Sequence, residues 1–249
     1  MNRSVLAVCA ADIQSEARAR AAAEMLGVPL IGISAAADGE RVLRFAANGV
    51  TFGCGGMELK GDLANLARRA RGANLREELI VRAAKAKETP RPRVLDATAG
   101  LGEDSFLLAA CGCEVTLYER SGAVFLLLED SLRRAKADPT VSAAAERMTA
   151  VYGDSIPAME NAAGAYDVVL LDPMFPEREK SALVKKKLQL IQQLEPPCAD
   201  EEELLCAAFA ARPRRIIVKR PPKGPYLAGR RPDHSLTGKA VRFDVFTLF

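Results

Sequence analysis

Two short runs bring together residue types that do chemistry in concert. The first is Asp96-Ala97-Thr98-Ala99-Gly100-Leu101-Gly102, an acid and two glycines set between an apolar strand pattern and the helical pattern Glu103–Ala110. Glycines in a strand-to-helix turn let the backbone approach a ligand closely, and the helix N-terminus presents polar groups to it. Glu119 comes seventeen residues after Gly102, at the end of the next strand pattern. An acid there accepts hydrogen bonds from the two ribose hydroxyls of a nucleoside cofactor. The second run is Asp172-Pro173-Met174-Phe175-Pro176, directly after the apolar YDVVLL. It suits a planar exocyclic amine: the Asp172 carboxylate and the Pro173 carbonyl accept its N–H groups, and Phe175 stacks on the base. Held that way, the amine turns its lone pair toward an electrophilic carbon, as in-line group transfer requires. Without a partner motif the same run is a rigid proline turn with Phe175 in the core.

The cofactor follows from what the first run lacks. A dinucleotide-binding turn, GxGxxG, needs Gly or Ala at position 105, which is Ser105. Asp96, at the strand end, repels a pyrophosphate and attracts the cationic methionine portion of S-adenosylmethionine. Asp96–Gly102 therefore favours the methyl donor over a nicotinamide cofactor. Gly153-Asp154-Ser155, after the third strand pattern, is placed to meet the adenine, while on position alone Asp154 is also an ordinary loop aspartate.

The inventory of side chains excludes much else. There is one histidine, His234, so zinc sites of the HExxH type and two-histidine iron sites are out. A Ser-His-Asp triad would rest on that residue alone, in a Pro- and Arg-rich segment with no nucleophile elbow. The six cysteines contain no CxxC pair and read as free thiols of a reducing compartment, so no metal is expected. Hydrophobic residues at 49% and charged residues at 27% describe a globular chain. No apolar stretch reaches the roughly 18 uncharged residues of a membrane span, and no signal peptide opens the chain, so a cytoplasmic location is expected. The net charge of +3 hides two basic clusters. Lys60–Arg93 holds ten basic residues against four acidic ones, and Arg212–Arg242 ten against one, with Lys185-Lys186-Lys187 between them. Such clusters point to a polyanion, most often nucleic acid.

The elements that must position these residues follow from periodicity and punctuation. Residues 1–60 read as a small α/β lobe, with strands Val5–Ala10, Val28–Ile33 and Arg41–Ala46, a helix Asp12–Leu26, and a flexible loop at Gly53, Gly55 and Gly56. Residues 61–92 read as a basic helical linker that ends at Pro90 and Pro92. From Arg93 strands alternate with helices. Strands fall at Val94–Ala97, Glu114–Tyr118, Met148–Tyr152, Tyr166–Leu171, Arg215–Lys219 and Val241–Phe249. Helices fall at Glu103–Ala110, Ala123–Ala137, Ser181–Leu194 and Asp200–Ala211. The pattern predicts an α/β, doubly wound, mostly parallel sheet.

At this point a family resemblance enters. Asp172–Phe175 resembles the (Asn/Asp)-Pro-Pro-(Tyr/Phe) loop of amino-group methyltransferases. The runs DATAGLGEDSF, LYER, LDPMFPEREKSALVKKK, RIIVKRP and KAVRFDVF, in that order across residues 53–249, are similar to the RsmJ family of 16S ribosomal RNA guanine-N2 methyltransferases. The resemblance implies a Rossmann-like class I S-adenosylmethionine-dependent methyltransferase, with 93–249 as its methyltransferase domain and 16S ribosomal RNA or the small ribosomal subunit as partner. It implies cofactor contacts at Glu103, Asp104, Glu119, Arg120, Asp154, Ser155 and Asp172, beside Asp96, Gly100 and Gly102 from the turn itself. Asp172, Pro173 and Phe175 become the catalytic set. Met174 departs from the family's commoner second proline. Lys180, Ser181, Lys185 and Lys186 match the family run, as phosphate contacts or as helix-surface charge. No membrane partner is implied, and a monomer is expected. The residues themselves leave open another acceptor, DNA adenine or a protein side chain, or an RNA-binding assembly factor without activity.

Overall fold

The computed structural model describes residues 5–35, 41–85, 89–173, 190–191, 194 and 200–248. The central strands of its larger sheet are apolar on both faces, as a sheet covered by helices on each side requires. The strands are β6 (Arg93–Asp96), β7 (Glu114–Glu119), β8 (Met148–Tyr152), β9 (Val168–Leu171), β10 (Arg215–Arg220), β11 (His234–Thr237) and β12 (Arg242–Thr247). Their spatial order is β11-β12-β10-β9-β6-β7-β8. Only β12 runs antiparallel to its neighbours, slotted between β10 and β11. All four residues of β9 are buried. The order reverses between β6 and β9, so the carboxyl ends of these two strands diverge into a crevice, the usual ligand position in such a sheet.

Two apolar layers sandwich the sheet. On one face α3 (Leu79–Ala84), α4 (Glu103–Ala110) and α5 (Gly122–Ala137) pack Ile80, Leu107, Leu108, Leu128 and Leu132 against Val94, Val115 and Ile217. Leu63, Leu66, Val81, Ala83 and Ala84, also from 61–92, are buried in the same cluster. On the other face α8 (Glu201–Ala210) packs Leu204, Leu205 and Ala208 against Leu95, Val169 and Val218. Burying each of these leucines stabilises the fold by ~1.5–3 kcal/mol relative to leaving it exposed. Leu190, Ile191 and Leu194, the described residues of the expected helix 181–194, are helical.

The N-terminal residues form a second sheet, ordered β2-β1-β3-β4-β5. Three of its strands are β1 (Ala7–Ala10), β2 (Leu30–Ile31) and β3 (Val42–Ala46), with α1 (Glu16–Leu26) packed on them. The expected flexible glycine loop is instead a hairpin of β4 (Gly49–Cys54) and β5 (Met57–Leu59). Cys54 pairs with Met57, and Gly55 and Gly56 between them take φ of 58° and 72°, the two positive values a tight two-residue hairpin demands. Further differences are β11 and the short helices α6 (Ser142–Ala145) and α7 (Ser155–Glu160), none of which the sequence periodicity marks. This sheet shares a core with the larger one: Leu43, Phe45, Phe52 and Leu59 meet Ala123, Val124 and Leu127 of α5. Of the cysteines, Cys9, Cys54, Cys111, Cys113 and Cys206 are free thiols, and Cys198 lies outside the described residues.

Candidate active site

The site grows out of the turn between β6 and α4. Asp96 ends β6 with 3% of its surface exposed. Its carboxylate accepts the Ser105 hydroxyl at 2.6 Å and the Thr98 amide at 3.1 Å. Burial pushes the Asp96 carboxyl up to about 7, against the lowering effect of those two hydrogen bonds and with the charges of Asp172 and Asp104 adding to the rise. Ser105 is thus the partner that satisfies a buried acid, a positive reason for its place in the helix. Gly102 takes φ of 72°, and a Cβ there would lie 2.8 Å from Leu128 Cδ1, so helix α5 reaches the turn only over a glycine. Gly100, with φ of 54°, has nothing within 4 Å of its missing Cβ.

Glu119, at the end of β7, is 2% exposed. Its Oε2 accepts the Gly100 amide at 2.9 Å and its Oε1 the Ser121 amide at 2.7 Å. The carboxylate therefore clamps the Gly-rich turn to the next strand. Each of its oxygens has two acceptor sites, so these bonds are compatible with further donors from a ribose.

At β9 the Asp172 amide donates to Thr98 Oγ1 at 2.5 Å, which joins the two chemical runs. The Asp172 carboxylate meets a residue that the sequence marks only as one of the basic cluster Arg212–Arg242. Lys219 of β10 places Nζ 2.7 Å from Asp172 Oδ2 and 2.6 Å from Asp104 Oδ2. Desolvation would lower the Lys219 pKa, but the charges of Asp172 and Asp104 outweigh it and hold the ammonium firmly protonated.

These residues line one cavity of about 300 Å³. It contains Asp96, Gly100, Gly102, Glu103, Asp104 and Glu119, and also Arg120, Asp154, Ser155, Asp172 and Pro173. Phe175 lies outside the described residues, as do Met174, Lys180, Ser181, Lys185 and Lys186. Arg120 pairs with Asp200 across the rim at 2.8 Å. Asp154 caps α7, its carboxylate accepting the Ile156 amide at 2.9 Å. Seven carboxylates (Asp96, Glu103, Asp104, Glu119, Asp154, Asp172 and Asp200) face two basic side chains, Arg120 and Lys219. Such a wall suits a cation and disfavours a pyrophosphate. A buried acid, an acid at the ribose position and a glycine turn fit S-adenosylmethionine.

Several members of the basic clusters are spent on internal pairing. Arg69 forks onto Glu78, Arg220 is buried against Glu201, and Arg242 bridges Asp244 and the carbonyls of Pro222 and Gly224. Arg212 and Arg214 precede β10 and so sit at its amino end. The six residues of β10 put them ~20 Å from the crevice at ~3.3 Å per residue. Of the basic Arg212–Arg242 cluster, these two arginines therefore lie away from the crevice. Lys223, just after β10, and Lys239, in the β11–β12 turn, are exposed at the crevice end.

A family model described as "Putative SAM-dependent methyltransferase" matches residues 58–248. The chain is 41% identical over 238 residues to ribosomal RNA small subunit methyltransferase J of Thioalkalivibrio sulfidiphilus, covering 92% of each. It is 49% identical over 170 residues to the enzyme of the same name from Pseudomonas aeruginosa, covering 68% of this chain and 65% of that one. A crystal structure of a SAM-dependent methyltransferase from Neisseria gonorrhoeae superposes with a TM-score of 0.75 at 32% identity, covering 98% of this chain and 96% of that one.

Proposed function

We propose that this chain, which belongs to the RsmJ family of S-adenosylmethionine-dependent ribosomal RNA methyltransferases, methylates the exocyclic N2 amine of a guanine in 16S ribosomal RNA. The observation that carries this reading is Asp172-Pro173 at the reversal point of the sheet, in the same cavity as the Gly-rich turn and Glu119. The cofactor supplies a methyl group on a sulfonium, and the rest falls to the protein. Asp96 and its neighbouring acids attract the positive charge, and Glu119 is placed for the ribose hydroxyls. Asp172 and the Pro173 carbonyl orient the amine through its N–H groups, and Phe175 is assigned the stacking role. As the N2–carbon bond forms and the sulfur–carbon bond breaks, the amine sheds one proton, for which Asp172 is assigned as acceptor. No metal ion is needed for this step. We take the enzyme to act as a monomer, in the cytoplasm where a small-subunit RNA is its substrate. A guanine must leave its stack to reach Asp172. Exposed Arg68, Lys223 and Lys239 are assigned to the flanking phosphates, which makes binding weaken with added salt.

The deciding experiment transfers tritium from labelled cofactor into small ribosomal subunits and naked ribosomal RNA from cells that lack this gene. Label recovered as N2-methylguanosine supports the reading. Cofactor binding without any labelled guanosine would instead mean a DNA or protein acceptor.

Cofactor affinity is also expected to depend on pH through Asp96. With its carboxyl near 7, the acid is mostly neutral at pH 6, and a cationic ligand must first displace its proton. Kd is expected to fall about fivefold between pH 6 and pH 7, the size of the linkage for one proton. Calorimetry on the wild type and on Asp96→Asn checks this. An equally steep slope in the Asn variant would rule out Asp96 as the titrating group.

A further inference from the structure

Lys219 is where three elements converge. It stands near the end of β10, Asp104 is in the first turn of α4, and Asp172 follows β9, so one ammonium ties together both sides of the crevice. Arg120, the other basic residue of the cavity, is engaged at the rim with Asp200. The Asp172 side chain is 41% exposed, and such a carboxylate left to itself would change rotamer and hydrate. Lysine alone is also flexible, but the second contact to Asp104 removes that freedom.

We propose that Lys219 is a positioning residue for methyl transfer: anchored by Asp104, it fixes the Asp172 carboxylate and keeps it ionised, so that Asp172 can accept the N–H of the incoming amine. The proposal rests on the assignment of Asp172 as that acceptor. The charged groups that act on Asp172 include Asp96, Lys219 and Arg220, and Asp104 shares the Lys219 ammonium with it. Arg220 is directed to Glu201 at 3.3 Å. Neighbouring like charges disfavour an ionised Asp172, and Lys219 is an opposing charge in direct contact. Without it, Asp172 would take up a proton at higher pH and present a donor where an acceptor is required. A displacement of ~1 Å at such a group costs about 100-fold in rate.

The test compares Lys219→Met, Lys219→Arg, Asp104→Asn, Asp172→Asn and the Met/Asn double variant of positions 219 and 172, all with the ribosomal RNA substrate. Kd for the cofactor, and kcat and KM from about pH 5.5 to about pH 8.5, are measured. Lys219→Met is expected to lower kcat about 100-fold, to move the acid limb of kcat to higher pH, and to bind cofactor at least as tightly as the wild type. Lys219→Arg keeps the charge and is expected to restore the acid limb to its wild-type position. The double variant is expected to be no slower than Asp172→Asn alone, because both changes act on one group. A wild-type acid limb and kcat in Lys219→Met would overturn the proposal, as would losses that multiply in the double variant. If Lys219→Met does not fold, Asp104→Asn decides. It frees Lys219 from its anchor and is expected to lower kcat without moving the acid limb to higher pH, since it also removes a like charge near Asp172. A wild-type kcat there would overturn the proposal. Full activity in Asp172→Asn would overturn the parent assignment of Asp172 instead.

Discussion

Asp172→Ala is expected to reduce methyl transfer by about 10²–10³-fold, the usual cost of deleting one preorganised group at a reacting centre. The argument is geometric. Asp172 lines the cavity beside the Gly-rich turn. Its amide is fixed by Thr98 Oγ1 and its carboxylate by Lys219, so backbone and side chain are both held before substrate arrives. Alanine keeps the backbone bond and removes the acceptor for the amine. It also leaves Lys219 with Asp104 as its remaining carboxylate contact. The side chain is 41% exposed, so thermal stability should stay close to wild type, and a lost rate cannot then be blamed on unfolding. Single-turnover transfer to ribosomal RNA at saturating cofactor measures the effect directly. A variant within threefold of the wild-type rate would sink the mechanism.

How much of this was legible in the sequence depends on the range of the interactions involved. Helix Glu103–Ala110 and strand Met148–Tyr152 appear with the same bounds in the sequence pattern and in the structure, because both are set by local apolar runs and nearby turn residues. The cavity was legible too. Residues just beyond parallel strands must gather at one edge of the sheet, so Asp96, Glu119 and Asp172 could be placed together once the strands were recognised. The β4–β5 hairpin was available but misjudged: a Gly-Gly pair between short apolar runs signals a tight turn as much as a loose loop. Lys219 stands inside RIIVKRP and counts in the sequence only as one cation of the Arg212–Arg242 cluster. Its partners lie 47 and 115 positions away, and no periodicity reports a contact of that kind. Strand polarity held the missing clue, since a lysine near the carboxyl end of β10 faces the crevice while Arg212 and Arg214 cannot.

The attachment of the N-terminal sheet was the least legible feature, and it supports the largest expected loss of stability. Asp130 of α5 has a fully buried side chain. Its Oδ1 accepts Arg18 at 2.7 Å and Arg133 at 2.9 Å, and its Oδ2 accepts Arg134 at 2.8 Å and the Val50 amide at 2.9 Å. Arg18 belongs to α1 and Val50 to β4, 112 and 80 positions away, so one carboxylate bonds both layers of the N-terminal unit to the main one. Gly49 makes this possible: a Cβ there would lie 2.8 Å from both Asp130 Oδ2 and Arg134 Nε. Burial by itself would raise the Asp130 pKa, but the guanidinium hydrogen bonds and the Val50 amide hold it below the usual carboxylate range. A depressed folded-state pKa contributes stability that is present above the unfolded value of 3.8 and is lost as pH falls toward the folded one. Asp130→Ala removes that contribution, leaves Val50 N–H without this acceptor and takes from three guanidiniums the carboxylate they share, with Asp62 still 3.6 Å from Arg134. The expected cost is ~3–5 kcal/mol, as for other buried pairs broken on one side. That corresponds to a drop in Tm of about 10 °C for a chain of this size. Urea unfolding at neutral pH and again near pH 3 checks both the size and the sign. The gap between variant and wild type should shrink at the acid end, where Asp130 loses its charge in the unfolded chain while the folded one still holds it ionised. A neutral-pH loss below 1 kcal/mol would mean that the apolar contacts of Phe45, Phe52 and Leu127 hold the two sheets together without the ion cluster.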